Sequence, residues 1–400
     1  MFLRPSGCYS RLPRDKVSTS GLIMKCLVCS QTLAIDFTLE NIPSQAQGFS
    51  KNKNHSLKKQ LTMQLSQCSG CGLVQYVGPT VPYFQKAIRS NKLSESLTKF
   101  RLVQFQNFLN MSSEPIKSVF ELGAGQGEHL DIFKRLGVNT AGVEGDAGSC
   151  ELCLRKGHRV SHGFLGPPSN TQFDKMVKFD ALLSFNFIEH LPKPRNTLTQ
   201  LSQLLIDGSL ALFEVPNFDM IIRHHLFNEF IPDHRCYFTK NTFRCLLSIS
   251  GFEVVSMDEI WDGYVLSAIA KKRVANHWSD MSRSRSKMRD QIQRFFGQTD
   301  RFENAIWSAG HQSLTTISNL ELANRVSCII DSSEAKQGTF APASGLPVVH
   351  PDVLKLGKIK RILVMAAGFN KEIIKKLNTE FSSEISIATL DKGMVINAKK

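Results

Sequence analysis

The stretch Ser118-Val-Phe-Glu-Leu-Gly-Ala-Gly-Gln-Gly-Glu-His-Leu130 constrains this chain more than any other. Val119 to Leu122 has the length and apolar character of a short buried strand. Gly123, Ala124, Gly125, Gln126 and Gly127 follow as a turn in which alternate residues lack a Cβ, so backbone can lie close to a ligand. A helix is expected from Glu128, its first N–H groups pointing back into the turn. Strand, Gly-x-Gly-x-Gly turn and helix together make a device for holding a nucleoside. A phosphate loop would need Gly-Lys-Ser/Thr, and the dinucleotide fingerprint would place the third glycine one residue later. Glu121, just ahead of the turn, disfavours a pyrophosphate and tolerates a ligand with an amino or sulfonium cation. A second strand is expected to end at Glu144, about twenty residues on, where an acid can accept both hydroxyls of a ribose.

These residues resemble motif I and the acidic strand end of class I S-adenosylmethionine-dependent methyltransferases. The resemblance implies an α/β fold with a Rossmann-like seven-stranded sheet, and the pattern over residues 116–272 follows it. Strands are expected to Glu144, over Phe179–Phe185 and over Ser209–Val215. Helices are expected to Leu136, to about Gly157, over Arg195–Leu205 and over Thr239–Ser250. Phe252–Met257 and Gly263–Ala270 read as a terminal antiparallel pair. By position, the cofactor's ribose should meet Glu144, with Gly145 beside it. Its methionine end should meet Glu121, Gly123, Gly125 and Asn186, with Ala124 and Gly127 also cofactor-binding, and the adenine should lie near Gly163–Leu165. Glu189 and His190 either face a substrate or cap and pack.

Cys26-Leu-Val-Cys29 and Cys68-Ser-Gly-Cys71 are two Cys-x-x-Cys pairs, thirty-eight residues apart. Each places two thiolates on one tight turn, and two such turns complete a tetrahedron around a structural Zn²⁺ with no position left for catalysis. Cys150 and Cys153 share the spacing but fall in a helix with no second pair, and read as ordinary buried cysteine. Ten cysteines in a chain with no secretory apolar segment favour metal over disulfides and a cytoplasmic setting. No apolar run reaches the length of a membrane span. The net charge of +14 favours an anionic partner.

The chain accordingly divides into an extension over 1–24, expected to be disordered, and a zinc-binding module over 25–80. A helical linker or lid over 81–115 follows, with Phe100, Val103, Phe105 and Phe108 on its apolar face and Tyr83, Arg89 and Ser90 as weak substrate contacts. After the cofactor domain come a basic helical linker over 273–300 and a second α/β lobe over 301–400. In that lobe Val326-Ser-Cys-Ile-Ile-Asp331, then Lys336-Gln-Gly338 and Pro347, resemble the carboxy-terminal domain of deoxysugar C-methyltransferases, which also carry an amino-terminal Cys-x-x-Cys zinc module. The resemblance implies C-methylation of a nucleotide-linked sugar, a small anionic substrate. The glycine turn at Ala309-Gly310-His311 leaves open either a second nucleotide site or a lobe that only packs.

Carbon methylation needs a base beside a carbonyl and donors for the developing oxyanion. Glu229-Phe-Ile-Pro-Asp-His-Arg-Cys-Tyr237 supplies candidates: His234 as base, Asp233 to orient it or act itself, and Tyr237 to bind a carbonyl oxygen. Alternatively, Asp233 and His234 buttress the next helix. The sugar enzymes have Tyr-x-Glu-His where this chain has Ile231, Pro232, Asp233 and His234. That departure keeps O- or N-methylation of a small metabolite open. A zinc-ribbon RNA methyltransferase is a further alternative, but no aromatic-basic stacking platform supports nucleic acid as the partner. A cofactor-binding scaffold without turnover is the non-enzymatic one.

Overall fold

The computed structural model describes residues 24–34, 36–44, 49, 51–54, 59–81, 93–165, 178–275, 278–381 and 384–398. Tyr83, Arg89, Ser90 and nearly all of the amino-terminal extension lie outside the described residues. Two compact units divide at Ala275 and Asn276.

The first unit opens with strands β1 (Phe37–Pro43), β2 (Gln60–Gln67) and β3 (Val74–Tyr76). Its main sheet is built from β4 (Ser118–Leu122), β5 (Asn139–Glu144), β6 (Arg159–His162), β7 (Phe179–Phe185) and β8 (Leu205–Pro216). A two-residue strand β9 (Cys236–Tyr237) precedes the final pair, β10 (Phe252–Ile260) and β11 (Val265–Lys272). The order β10-β11-β8-β7-β4-β5-β6 makes a seven-stranded sheet. β8 to β6 run parallel, and β11 inserts antiparallel between β8 and β10. Strands buried on both faces need apolar side chains both ways. Accordingly Phe120 and Leu182 join one core, while Val119, Ala181 and Leu183 join the other.

Helices α1 (Glu95–Asn110), α2 (Glu128–Arg135), α3 (Ala147–Arg155), α4 (Pro194–Ser202), α5 (Phe218–His224) and α6 (Lys240–Ile249) belong to the same unit. Three of them are capped by local side chains. Ser94 accepts the Leu97 N–H ahead of α1, Asp146 accepts the Ser149 N–H ahead of α3, and Thr239 with Thr242 forms a reciprocal capping box on α6. One expectation for α1 is corrected. Val103 is exposed, and the buried positions are Arg101, Phe105 and Phe108. Spacings of four and three put 101, 105 and 108 on one face, which turns Val103 outward.

β9 does not join the main sheet. It pairs antiparallel with β3, Val74 opposite Tyr237 and Gln75 opposite Cys236, and completes a four-stranded sheet β1-β2-β3-β9. The segment carrying Asp233 and His234 is thereby stitched to the cysteine module.

The second unit holds α7 (Ser279–Phe296), β12 (Asn304–Trp307), α8 (His311–Asn319), β13 (Cys328–Ile330), β14 (Val348–Val349), β15 (Arg361–Val364), α9 (Asn370–Glu380), β16 (Ser386–Asp391) and β17 (Met394–Asn397). Its sheet runs β14-β13-β12-β15-β16-β17, with only β17 antiparallel. The basic helix α7 buries Ile292 and Phe296 in this unit's core.

Candidate functional site

β4 occupies the switch point of the main sheet: the chain winds from it to β5 and β6 on one side, then to β7 and β8 on the other. Open parallel sheets take ligands at the carboxyl ends of strands beside such a point. Gly123, Gly125 and Gly127 follow β4 with φ of 75°, 58° and 83°. All three are left-handed, a region glycine enters without penalty. A Cβ on Gly123 would lie 2.4 Å from the Phe187 ring, so this turn has no room for a larger residue.

Glu144 ends β5 and is buried. Its Oε2 accepts the Gly125 N–H at 2.7 Å and its Oε1 accepts the Asp146 N–H at 2.9 Å. Its carboxylate thus fixes the turn after β4 and the start of the loop after β5 together. The Phe164 ring packs where a Cβ on Gly145 would stand, at 2.2 Å. Asn186 follows β7 with φ of 48°, an uncommon conformation for a side-chain-bearing residue, and its N–H donates to Glu214 O.

Glu121 is buried, with His129 Nδ1 2.9 Å from its Oε1. Burial, reinforced by the Arg101 charge, pushes His129 down to about 4, so this histidine is neutral at ordinary pH. Arg101 makes a bidentate pair with Glu214, at 2.6 and 2.7 Å, and both are shut from water. Gln104 and Ser267 donate to the same carboxylate, and the guanidinium lies 4.9 Å from the Phe185 ring centroid. Sequence reasoning missed this pair because its members are 113 residues apart. An arginine at the a-like position of an otherwise aromatic face is the only local signal of it.

The second cluster forms between the end of β7 and the segment before β9. His190 Nδ1 is 2.8 Å from the carbonyl of Asp233. A carbonyl only accepts, so Nδ1 carries the proton and Nε2 is left as an acceptor. The His190 and His234 rings meet edge to face with centroids 4.8 Å apart, and Glu189 Oε1 is 3.7 Å from His190 Nε2. Burial pushes Glu189 up to about 8 and His234 down to about 4. At neutral pH the cluster therefore holds an uncharged histidine that can take a proton and a protonated carboxyl that can donate one.

Tyr237 stands differently from its expected role. It is buried, its hydroxyl donates to Ile231 O and accepts the Ile231 N–H, both at 2.9 Å, and burial raises its pKa. It locks the segment from Ile231 to Tyr237 instead of presenting an oxygen to a substrate carbonyl. Asp233 is buried within that locked segment.

In the amino-terminal module the sulfurs of Cys26, Cys29, Cys68 and Cys71 lie within 4.8 Å of one another, and none forms a disulfide. The closest pairs are Cys29–Cys68 at 3.3 Å and Cys26–Cys71 at 3.5 Å. A tetrahedron of Zn–S bonds of about 2.3 Å sets sulfurs roughly 3.8 Å apart, so the cluster fits a zinc module. The two turns repeat each other. Cys26 N–H donates to Gln31 O and Cys68 N–H to Leu73 O, while Ser30 N–H returns to Cys26 O and Gly72 N–H to Cys68 O.

A glycine turn at a sheet switch point, an acid on the adjoining strand and an antiparallel strand pair closing the sheet define the class, an S-adenosylmethionine-dependent methyltransferase. Residues 90–257 match the family described as a methyltransferase domain, and residues 270–387 match the C-methyltransferase C-terminal domain. The chain thus joins a methyltransferase domain to a C-methyltransferase C-terminal domain. No curated protein matches it significantly. Among solved structures it is similar to CalS10, an amino pentose methyltransferase from Micromonospora echinaspora involved in calicheamicin biosynthesis. That match has 16% identity over 44% of this chain and 91% of that one, with a TM-score of 0.35. It is also similar to an S-adenosylmethionine-dependent methyltransferase from Clostridium acetobutylicum, with 10% identity, 47% and 95% coverage and a TM-score of 0.35. The YcgJ protein of Bacillus subtilis matches with 13% identity, 44% and 100% coverage and a TM-score of 0.34.

Proposed function

We propose that this enzyme methylates a carbon atom beside a carbonyl in a small, nucleotide-linked sugar. The observation that carries the proposal is the cluster of Glu189, His190 and His234, whose polar atoms lie within 4.8 Å of one another, with burial pushing Glu189 up and His234 down. Two groups pushed in opposite directions by their surroundings are suited to acid and base roles. The match to a C-methyltransferase C-terminal domain agrees with it.

S-adenosylmethionine, when bound, supplies a methyl group on a sulfonium. Gly123, Gly125 and Gly127 admit its backbone-hugging portion, and Glu144 takes its ribose. His234 would remove and hold the proton beside the carbonyl, leaving an enolate to which bound S-adenosylmethionine would supply the methyl group. Glu189, through its proton, steadies the charge that develops at the site, with His190 Nε2 as the nearest acceptor. Base and donor need fixed positions more than flexibility, which is what the Tyr237 lock and the β3–β9 pairing provide.

The pH profile tests this assignment. Glu189 is protonated below about 8 and His234 is neutral above about 4. Turnover should therefore be flat through neutral pH and fall as pH rises through about 8. Glu189→Gln, which stays uncharged, should remove that alkaline fall. An alkaline limb that survives in Glu189→Gln assigns it to another group.

We also infer that the four cysteines hold one structural Zn²⁺, and that the metal supports catalysis through β3. Stripping it with a chelator should lower turnover while leaving cofactor affinity within about twofold, since the cofactor turn makes no use of the module's strands. Metal analysis should find one zinc per chain. Loss of zinc with turnover unchanged would separate the module from the Asp233–His234 segment.

A further inference from the structure

His129 is the second residue of α2, which starts directly after the glycine turn. Glu121 lies ahead of that turn, in β4. The turn reverses the chain and brings the two together, with His129 Nδ1 2.9 Å from Glu121 Oε1. Two aromatic side chains hold the imidazole. Its centroid is 4.2 Å from that of Phe185 in β7, and 6.0 Å from that of Phe105 in α1, which it meets edge to face at 78°. Three elements therefore decide where this histidine stands. The Glu121 side chain is 1% exposed, whereas that of His129 keeps 19% of its surface.

An ionised carboxylate only accepts hydrogen bonds, so His129 donates through Nδ1, and Nε2 carries the lone pair. Burial keeps the ring uncharged at ordinary pH. An uncharged donor holds a carboxylate in place and leaves its negative charge standing, whereas a histidinium or a lysine would cancel it. Arg101 is committed to Glu214 through bonds of 2.6 and 2.7 Å. A buried carboxylate is stabilised by an opposite charge, and the amino acid end of the cofactor brings an ammonium.

We propose that His129 is a positioning residue for the cofactor's amino acid end, holding the Glu121 carboxylate where it accepts the cofactor's ammonium. The proposal rests on Glu121 being a contact of that end. His129 does not touch the reacting atoms. It fixes one orientation of the carboxylate before the cofactor arrives, so less freedom is lost on binding.

The test is calorimetry on the full chain with S-adenosylhomocysteine and methylthioadenosine, which share the adenosine and the thioether and differ in the amino acid. In His129→Leu, S-adenosylhomocysteine should bind about tenfold more weakly, the effect of losing one hydrogen bond to a charged group, and methylthioadenosine within about twofold of the parent. His129→Asn should restore most of the loss, because its amide nitrogen stands as many bonds from Cα as Nδ1 does. His129→Gln, whose amide reaches the Nε2 position, should not. A histidine that only packs would separate neither the two amides nor the two ligands. The proposal is overturned if His129→Leu weakens both ligands alike, if it leaves S-adenosylhomocysteine unaffected, or if glutamine restores binding as well as asparagine. Should the leucine variant fail to fold, the two amides decide the matter with S-adenosylhomocysteine alone. Glu121→Gln tells the two failures apart. Undiminished S-adenosylhomocysteine affinity there removes Glu121 from the cofactor, and the proposal with it. A loss there, with none in His129→Leu, overturns the role of His129 alone.

Discussion

Replacing His234 with alanine should lower kcat by about 10²–10⁴-fold, the usual contribution of a positioned general base. Cofactor affinity should not move, because His234 lies in the segment before β9 and the cofactor turn follows β4. Burial holds the His234 pKa near 4, which keeps the ring neutral through the physiological range and at the same time lowers its basicity. Its position is inherited: Tyr237 fastens Ile231 from both sides, and Arg235 O accepts the Tyr76 N–H of β3 at 3.1 Å. His234→Gln keeps bulk and polarity but not basicity, so it should be as slow as the alanine variant. Full turnover in either variant would remove His234 from the chemistry and return it to a buttressing role.

The second large effect concerns stability. Arg101→Leu should destabilise the first unit by roughly 3–5 kcal/mol, because Glu214 is left as an uncompensated charge in a site closed to water. In a domain of this size that lowers Tm by roughly ten degrees or more. Joining it with Glu214→Gln should recover much of the loss, since no buried charge then remains. A single variant that melts within two or three degrees of the parent, an effect of roughly 1 kcal/mol, would mean that water or Gln104 compensates Glu214 unaided. The pair also bears on the site, because Glu214 lies next to the strand end whose neighbour β7 leads into Asn186, and Asn186 N–H is held by Glu214 O.

What the sequence made legible is local. Gly123 to Gly127, Glu144 and the two Cys-x-x-Cys turns announce themselves through spacings of a few residues, and each lies where those spacings place it. Strand positions in the main sheet were equally readable, since strands buried on both faces leave an apolar run. The rest depends on contacts between distant parts of the chain. Pairing of β9 with β3 joins residues more than 160 apart through a two-residue strand, too short for any pattern. Arg101 looks like one more surface cation until Glu214 is seen opposite it. Glu189 resembles an ordinary helix-start acid, and only its burial raises it to about 8. Tyr237 shows the reverse: a residue type suited to an oxyanion proved to be spent on its own loop.

Proton exchange tests the central claim most directly. The full enzyme is incubated in D₂O with S-adenosylhomocysteine and a nucleotide-linked keto sugar, and the hydrogens beside the carbonyl are followed by proton NMR. The account predicts enzyme-dependent loss of one of those hydrogens, abolished in His234→Ala and retained in Cys150→Ala, a residue remote from the His234 segment. Absence of exchange in the parent enzyme, together with methylation of a hydroxyl or amine when S-adenosylmethionine is supplied, would contradict it.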